Sequence, residues 1–304
     1  SSSNYEQNNR ENKPHLQTRH AFMVIERPAD QWSILAGQTW DVVGPLNPGT
    51  LNYTVLWWAG NYGYRVPQVR FTKDIDVADD TTLQFQLAIA RTIGTGLTGM
   101  AYEPGADEGF PTLQGRTALT FPGIGPDPIT VGVSGHIGEE EYDYTVGASR
   151  KSKHLDSWSG CIDLTLPLDE KVKVTGEVHI GENLGRYCGG IGYTVTGSTP
   201  TPSDSDFREV SARGGWIAAA LGPWDNMCYN VGYGISDVAT NDVSAASAHR
   251  NSCIFGNGIY NFNEHAAVGL EVSWWETEYT NSGSSTRGKG DALVVMASWI
   301  YKTR

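Results

Sequence analysis

Along most of this chain, apolar and polar residues alternate with a period of two. From Lys171 to Gly181, Val172, Val174, Val178 and Ile180 fall on one face, and Lys171, Lys173, Thr175, Glu177 and His179 on the other. Trp158, Ile162, Leu164 and Leu166 likewise oppose Ser159, Cys161, Asp163 and Thr165. Leu83, Phe85, Leu87 and Ile89 oppose Gln84 and Gln86, while Ala266, Val268, Leu270, Val272 and Trp274 oppose Glu271 and Ser273. Successive side chains of a strand point to opposite faces, so this is the signature of β-structure. Thirteen strands are predicted, near 15–26, 32–41, 66–73, 82–92, 114–122, 129–137, 155–166, 171–181, 209–221, 227–236, 249–262, 265–279 and 291–301.

The connections carry the second signal. Six are short turns, among them RPAD, GIGPDP, GPWDN and Asn263-Glu264, and six are long, over 42–65, 93–113, 138–154, 182–208, the stretch to about 248, and 280–290. The two kinds alternate strictly. A soluble sandwich has no reason to gather every long loop at one end, whereas an outer-membrane barrel does, with short periplasmic turns and longer extracellular loops. Aromatic residues agree: Trp158, Trp274, Trp299 and Tyr301 lie toward strand ends on the apolar face, as interfacial girdles do. The prediction is an all-β, transmembrane antiparallel β-barrel over 15–304, preceded by an exposed polar segment, 1–14.

Thirteen is odd, and bacterial single-chain barrels have even strand counts. An intact barrel of 14–16 strands with an incomplete N-terminus is therefore expected, with residues 1–14 at the long-loop end and the C-terminus periplasmic.

Composition narrows the class. Glycine is 36 of 304 residues and aromatics 11%, while charged residues are only 18%. Mean hydropathy is −0.35. No apolar run approaches a membrane helix, which leaves barrel strands open. The net charge of −12 argues against nucleic acid. Cys161, Cys188, Cys228 and Cys253 show no metal-ligand spacing. Either Cys188 and Cys253 form a disulfide or all four are unpaired.

The stretch from Trp32 to Phe71 is the most distinctive. GQTWD, LNPGTLNY and GNYGYRVPQVR, within residues 16–73, resemble outer-membrane porins, most closely the DcaP-like group. That resemblance implies an outer-membrane homotrimer, embedded in lipid and lipopolysaccharide, through which small hydrophilic solutes diffuse. The final SWIYKTR resembles the aromatic-ended last strand of such proteins but ends in Thr-Arg rather than Phe.

Candidate site residues follow from the faces. Arg19, Gln68, Arg70, Gln84, Gln86, Asp163, Lys171, Lys173, Glu177, Arg213 and Glu271 are expected to line a pore. Arg19, Arg70 and Arg213 would lower the barrier for anions such as carboxylates, or else pair with the lumen carboxylates and brace the wall. The nearly uncharged loop 42–65, with Tyr53, Trp57, Trp58, Tyr62 and Tyr64, is the candidate constriction or a packed external loop. Glu139, Glu140, Glu141 and Asp143 suit a solvated loop better than a Ca²⁺ site, since EF-hand spacing is absent. GENLGRYCGGIG lacks the Gly-Lys-Ser/Thr of a phosphate cradle. Ser159, His179 and Asp163 lack a hydrolase motif. No catalytic residue, cofactor or metal is assigned. Two alternatives stand beside a porin: a non-conducting barrel anchoring a surface assembly, and a soluble all-β binding protein.

Overall fold

The structure, a computed structural model, describes residues 18–52, 55–92, 109–146, 148–193, 208–280 and 288–301. Thirteen strands are present among them. They are β1 (Ala21–Arg27), β2 (Trp32–Trp40), β3 (Arg65–Ala78), β4 (Thr81–Ala90), β5 (Thr112–Phe121), β6 (Ile129–Val146), β7 (Ser149–Asp169), β8 (Val172–Glu182), β9 (Ser211–Trp224), β10 (Met227–Val238), β11 (Ala248–Asn261), β12 (Ala266–Tyr279) and β13 (Lys289–Tyr301). They form one sheet in chain order, each antiparallel to the next, with β1 and β13 at its edges. A 3-10 turn, Pro28–Asp30, joins β1 to β2.

The burial pattern is inverted relative to a water-soluble protein. Polar residues of the concave face are buried, among them Gln68, Gln114, His136, Asp163, Glu177 and Glu271. The opposite face exposes Leu87, Ile89, Val133, Ile162, Val178, Ile217, Leu270 and Val295. An apolar wall of this extent exceeds what a soluble surface carries and is the lipid-facing band of a barrel. Trp158, Trp274, Trp299 and Tyr301 are exposed on that wall, as expected.

Register follows the alternation. Cys161 pairs with His179 and Asp163 with Glu177, so the inward polar set of β7 meets that of β8. The short connections lie at one end of the meander and the longer ones at the other, with one correction. Residues 138–154 are not a loop, because β6 and β7 continue and stay paired as far as Val146 and Ser149. The acidic run of β6 faces the basic run of β7: Glu141 lies opposite His154, Tyr142 opposite Lys153, and Asp143 pairs with Arg150. Opposite charges across strands extend the ladder. Glu140 is buried rather than solvated and accepts a hydrogen bond from Tyr142.

Of the two cysteine alternatives the unpaired one holds, and the placement of Arg213 is revised. All four cysteines are free. Cys188 and Cys161 belong to one buried cluster, while Cys253 belongs to another with Val55, Leu56 and Ala59. Arg213 lies on the outer face with Ile217, while its neighbours Ala212 and Trp216 turn inward.

Candidate pore constriction

The connection from β2 to β3 does not stay outside. Its two ends are tied together: Asp41 N–H donates to Tyr64 O (2.8 Å), and Asp41 Oδ2 accepts from Tyr64 N–H (2.9 Å). Gln114 donates to Asp41 Oδ1 (2.9 Å). Burial pushes the Asp41 carboxyl up to about 6, against the pull of the Arg186 charge and these hydrogen bonds. From this base the loop crosses the concave face and is fastened to the wall by side chains of several strands.

The fastenings solve a definite problem. An irregular segment inside a barrel has no ladder for its N–H and C=O groups, and each would be costly to bury unpaired. Glu177 of β8 accepts from Leu46 N–H (2.6 Å). Glu271 of β12 accepts from Leu51 N–H (2.7 Å) and Asn52 N–H (3.0 Å). Ser236 accepts from Gly60 N–H (2.8 Å), and Asn251 and Asn257 of β11 donate to Trp58 O (2.8 Å) and Gly49 O (2.7 Å). Gly60, at φ +99°, lies so close to the Gly215 carbonyl that any side chain there would collide with the wall.

The apolar side chains of the loop then pack against the wall in two clusters. Val55, Leu56 and Ala59 meet Trp216, Ala218, Cys253 and Phe255. Val42, Val43 and Tyr62 meet Leu184, Tyr187, Cys188, Ile191 and Tyr193. The second group comes from residues 183–193, which also fold inward. Tyr62 stacks on His179 (4.8 Å) and Tyr187 (5.3 Å), and Tyr187 lies 4.2 Å from the His136 ring. Tyr62 hydroxyl donates to Ser159 and sits 3.0 Å from His136 Nδ1. Burial pushes the Tyr187 phenol and the Cys188 thiol up, so both stay neutral.

Two cavities flank the fastened loop. One, of about 370 Å³, is lined by Arg19, His20, Trp40, Asn47, Thr50, Asn61 and Arg65. The guanidinium of Arg65 lies over the rings of Trp40 (4.3 Å) and Tyr64 (5.6 Å). The other, of about 390 Å³, has no charged side chain among its described lining residues, which include Asn52, Trp58, Asn251, Trp275, Thr277, Tyr279 and Val294.

The structure divides the expected pore residues into three groups. Arg70 holds an inward position, half-buried on β3, and Arg19, exposed just before β1, lines the first cavity. Gln68, Gln84 and Gln86 also point inward but are engaged, with Trp40 O (2.9 Å), Asp74 (2.9 Å) and Thr72 (3.4 Å). The carboxylates are braces. Asp163 is held by Arg116 through Nε (3.0 Å) and Nη2 (2.7 Å), while Glu177 and Glu271 hold the loop. The arginines of the first cavity thus have other company than these three acids. Arg213 is no part of the lumen and pairs with Asp237 on the outer face (2.9 Å). Lys171 lies in the turn before β8, beside Ile124 and Trp224, and Lys173 is exposed near the same end.

Among the loop aromatics, Tyr62 is a buried brace, Trp57 lies tilted against Tyr64 (5.7 Å, 38°), and Trp58 is exposed. Tyr53 lies outside the described residues. Ser159 meets His136 (2.6 Å) rather than His179, and the buried His136–Ser159–Tyr62 group serves packing. Arg116, Arg65, Arg186 and the inward segment 183–193 were not singled out from sequence. For Arg116 the alternation of β5 places it inward and could have been used.

Comparison with solved structures bears on this arrangement. The crystal structure of the outer membrane channel DcaP of Acinetobacter baumannii is similar, with TM-score 0.61 and 14% identity, covering 87% of this chain and 70% of that one. OmpT, an outer membrane protein of Vibrio cholerae, gives TM-score 0.50 and 11% identity, covering 92% of this chain and 80% of that one. The fold is that of an outer-membrane β-barrel. No family model matches the sequence, and no curated protein matches it. The resemblance of residues 16–73 to the DcaP-like group holds at the level of fold, and the barrel's apolar wall and architecture place it in the bacterial outer membrane.

Proposed function

We propose that this barrel is a porin for passive diffusion of small hydrophilic solutes, with a preference for anions such as carboxylates, and not an enzyme. The observation that carries the reading is the loop 41–64, drawn into the barrel and fixed to wall side chains of β5, β8, β10, β11 and β12. A loop held this firmly narrows a lumen without closing it by motion. Anion preference rests on Arg19 and Arg65 of the first cavity and on Arg70 of β3, while part of the acidic excess lies in the β3–β4 turn (Asp79, Asp80) and in the extension of β6 (Glu139, Asp143). Charges farther than a Debye length, about 8–10 Å at physiological salt, are screened, whereas charges at a constriction are not. Outer-membrane lipid and lipopolysaccharide around the wall, and a homotrimeric assembly, belong to the same proposal.

The test is conductance in planar bilayers, with the zero-current potential read in a salt gradient. Discrete channels with anion preference support the reading. A folded barrel that gives no channels would favour the second reading, a non-conducting anchor, which the two buried apolar clusters inside the barrel support.

A further inference from the structure

Gly189 and Gly190 have a role that is neither phosphate binding nor flexibility. Gly189 and Gly190 press against the Trp57–Trp58 segment. A Cβ on Gly189 would come within 2.6 Å of Trp58 Cδ1, and one on Gly190 (φ +94°) within 2.9 Å of Trp58 Cβ. Gly189 N–H also donates to Trp57 O (3.3 Å), and Asn251 holds Trp58 O from the wall. The Trp58 backbone is therefore clamped from two sides, yet the residue is 45% exposed while Val55, Leu56 and Ala59 of the same loop are buried. An aromatic ring fixed in place and left uncovered inside a barrel is not explained by packing.

The indole borders the uncharged cavity. Trp275 meets it edge-on, at 6.5 Å and 67°, and Tyr279 extends the aromatic lining. Asn251 and Thr277, themselves joined at 2.7 Å, line the same cavity, and Asn52 adds a third polar side chain. The volume, about 390 Å³, lies in the range of small-molecule sites. Strand direction puts Asn251, Thr277, Tyr279 and Ala292 in the long-loop half, so the cavity faces the vestibule above the constriction.

We propose that this cavity binds a neutral hydroxylated ring, a pyranose unit of a small saccharide, before it passes the loop. Fixed aromatic faces suit the C–H faces of such a ring, amide and hydroxyl groups suit its hydroxyls, and the lack of charge disfavours the anions that the arginine side would attract. The assignment deepens the porin reading and rests on it only for the route by which the sugar arrives.

Tryptophan fluorescence of the folded, detergent-held protein, titrated with maltotriose, tests the site apart from conduction. A saturable change is expected, with Kd unchanged between about 0.1 M and about 1 M KCl because no charge is involved. Trp58→Ala and Trp275→Ala should each raise Kd roughly tenfold, the scale of losing one packed aromatic face. Should the loop variant not fold, Trp275→Ala, on the wall, decides alone. In bilayers the same sugar should give transient current blocks. No saturable response, a response to phenol but not maltotriose, or unchanged Kd in folded variants would overturn the proposal. A fluorescence response in a barrel without conductance would keep the site and refute the channel. Conductance without a sugar response would do the reverse.

Discussion

Glu271 offers the sharpest test of how the constriction is held. It is 1% exposed and accepts three hydrogen bonds: Leu51 N–H (2.7 Å), Asn52 N–H (3.0 Å) and Asn257 Nδ2 (2.9 Å). Replacing it with Ala removes a buried carboxylate, leaves two backbone donors without their acceptor, and takes one of its hydrogen bonds from the Asn257 amide, which keeps its bond to Gly49 O. Hydrogen bonds to charged groups contribute about 1.5–3 kcal/mol each, and orphaned donors cost about 1–3 kcal/mol. Such bonds are not additive, so the docked loop loses about 3–5 kcal/mol, comparable to breaking a buried ion pair. That shifts the docked-to-undocked ratio by roughly two to three and a half orders of magnitude. Hydrogen exchange in detergent reads it directly: protection at Leu51 and Asn52 should fall by about that factor while wall strands keep theirs. Single-channel records should show larger mean conductance and added noise. Glu271→Gln, which keeps one acceptor oxygen, should fall between. Unaltered exchange and noise in Glu271→Ala would mean that the apolar clusters alone hold the loop.

Three other outcomes follow from the geometry. Because burial raises Asp41 from 3.8 to about 6, the docked state binds its proton more tightly than the free loop, so loop stability should fall as pH rises from about 4 to about 6; Asp41→Asn should abolish that dependence in exchange measurements. Arg70→Ala should move the zero-current potential toward cation preference, whereas Arg213→Ala, on the outer face, should leave it unchanged; equal shifts would refute the face assignment. Val178→Arg, on the lipid face, should destabilise folding into vesicles by about 2–4 kcal/mol if it lies at mid-bilayer, read from denaturant titration.

What the sequence determined by itself was everything local. Alternation set thirteen strands and most of their faces, because a strand's period of two is written residue by residue and the bilayer tolerates no lapse in it. Glycine, proline and asparagine marked the short turns. Where contrast faded, the reading failed. Arg213 sits in SARGGWIAAAL, where glycine and alanine fit either face, and only Trp216 reaching Glu177 (3.1 Å) shows which way the strand is turned. The acidic run 139–143 looked like a loop because its basic partners lie in a different segment, and pairing made both into strand. The constriction depended still more on tertiary structure. Glu271 meets Leu51 across 220 positions and Glu177 meets Leu46 across 131, so neither latch leaves a local trace. An inward loop must find partners for its backbone, and those partners come from whichever wall strands closure of the fold brings opposite.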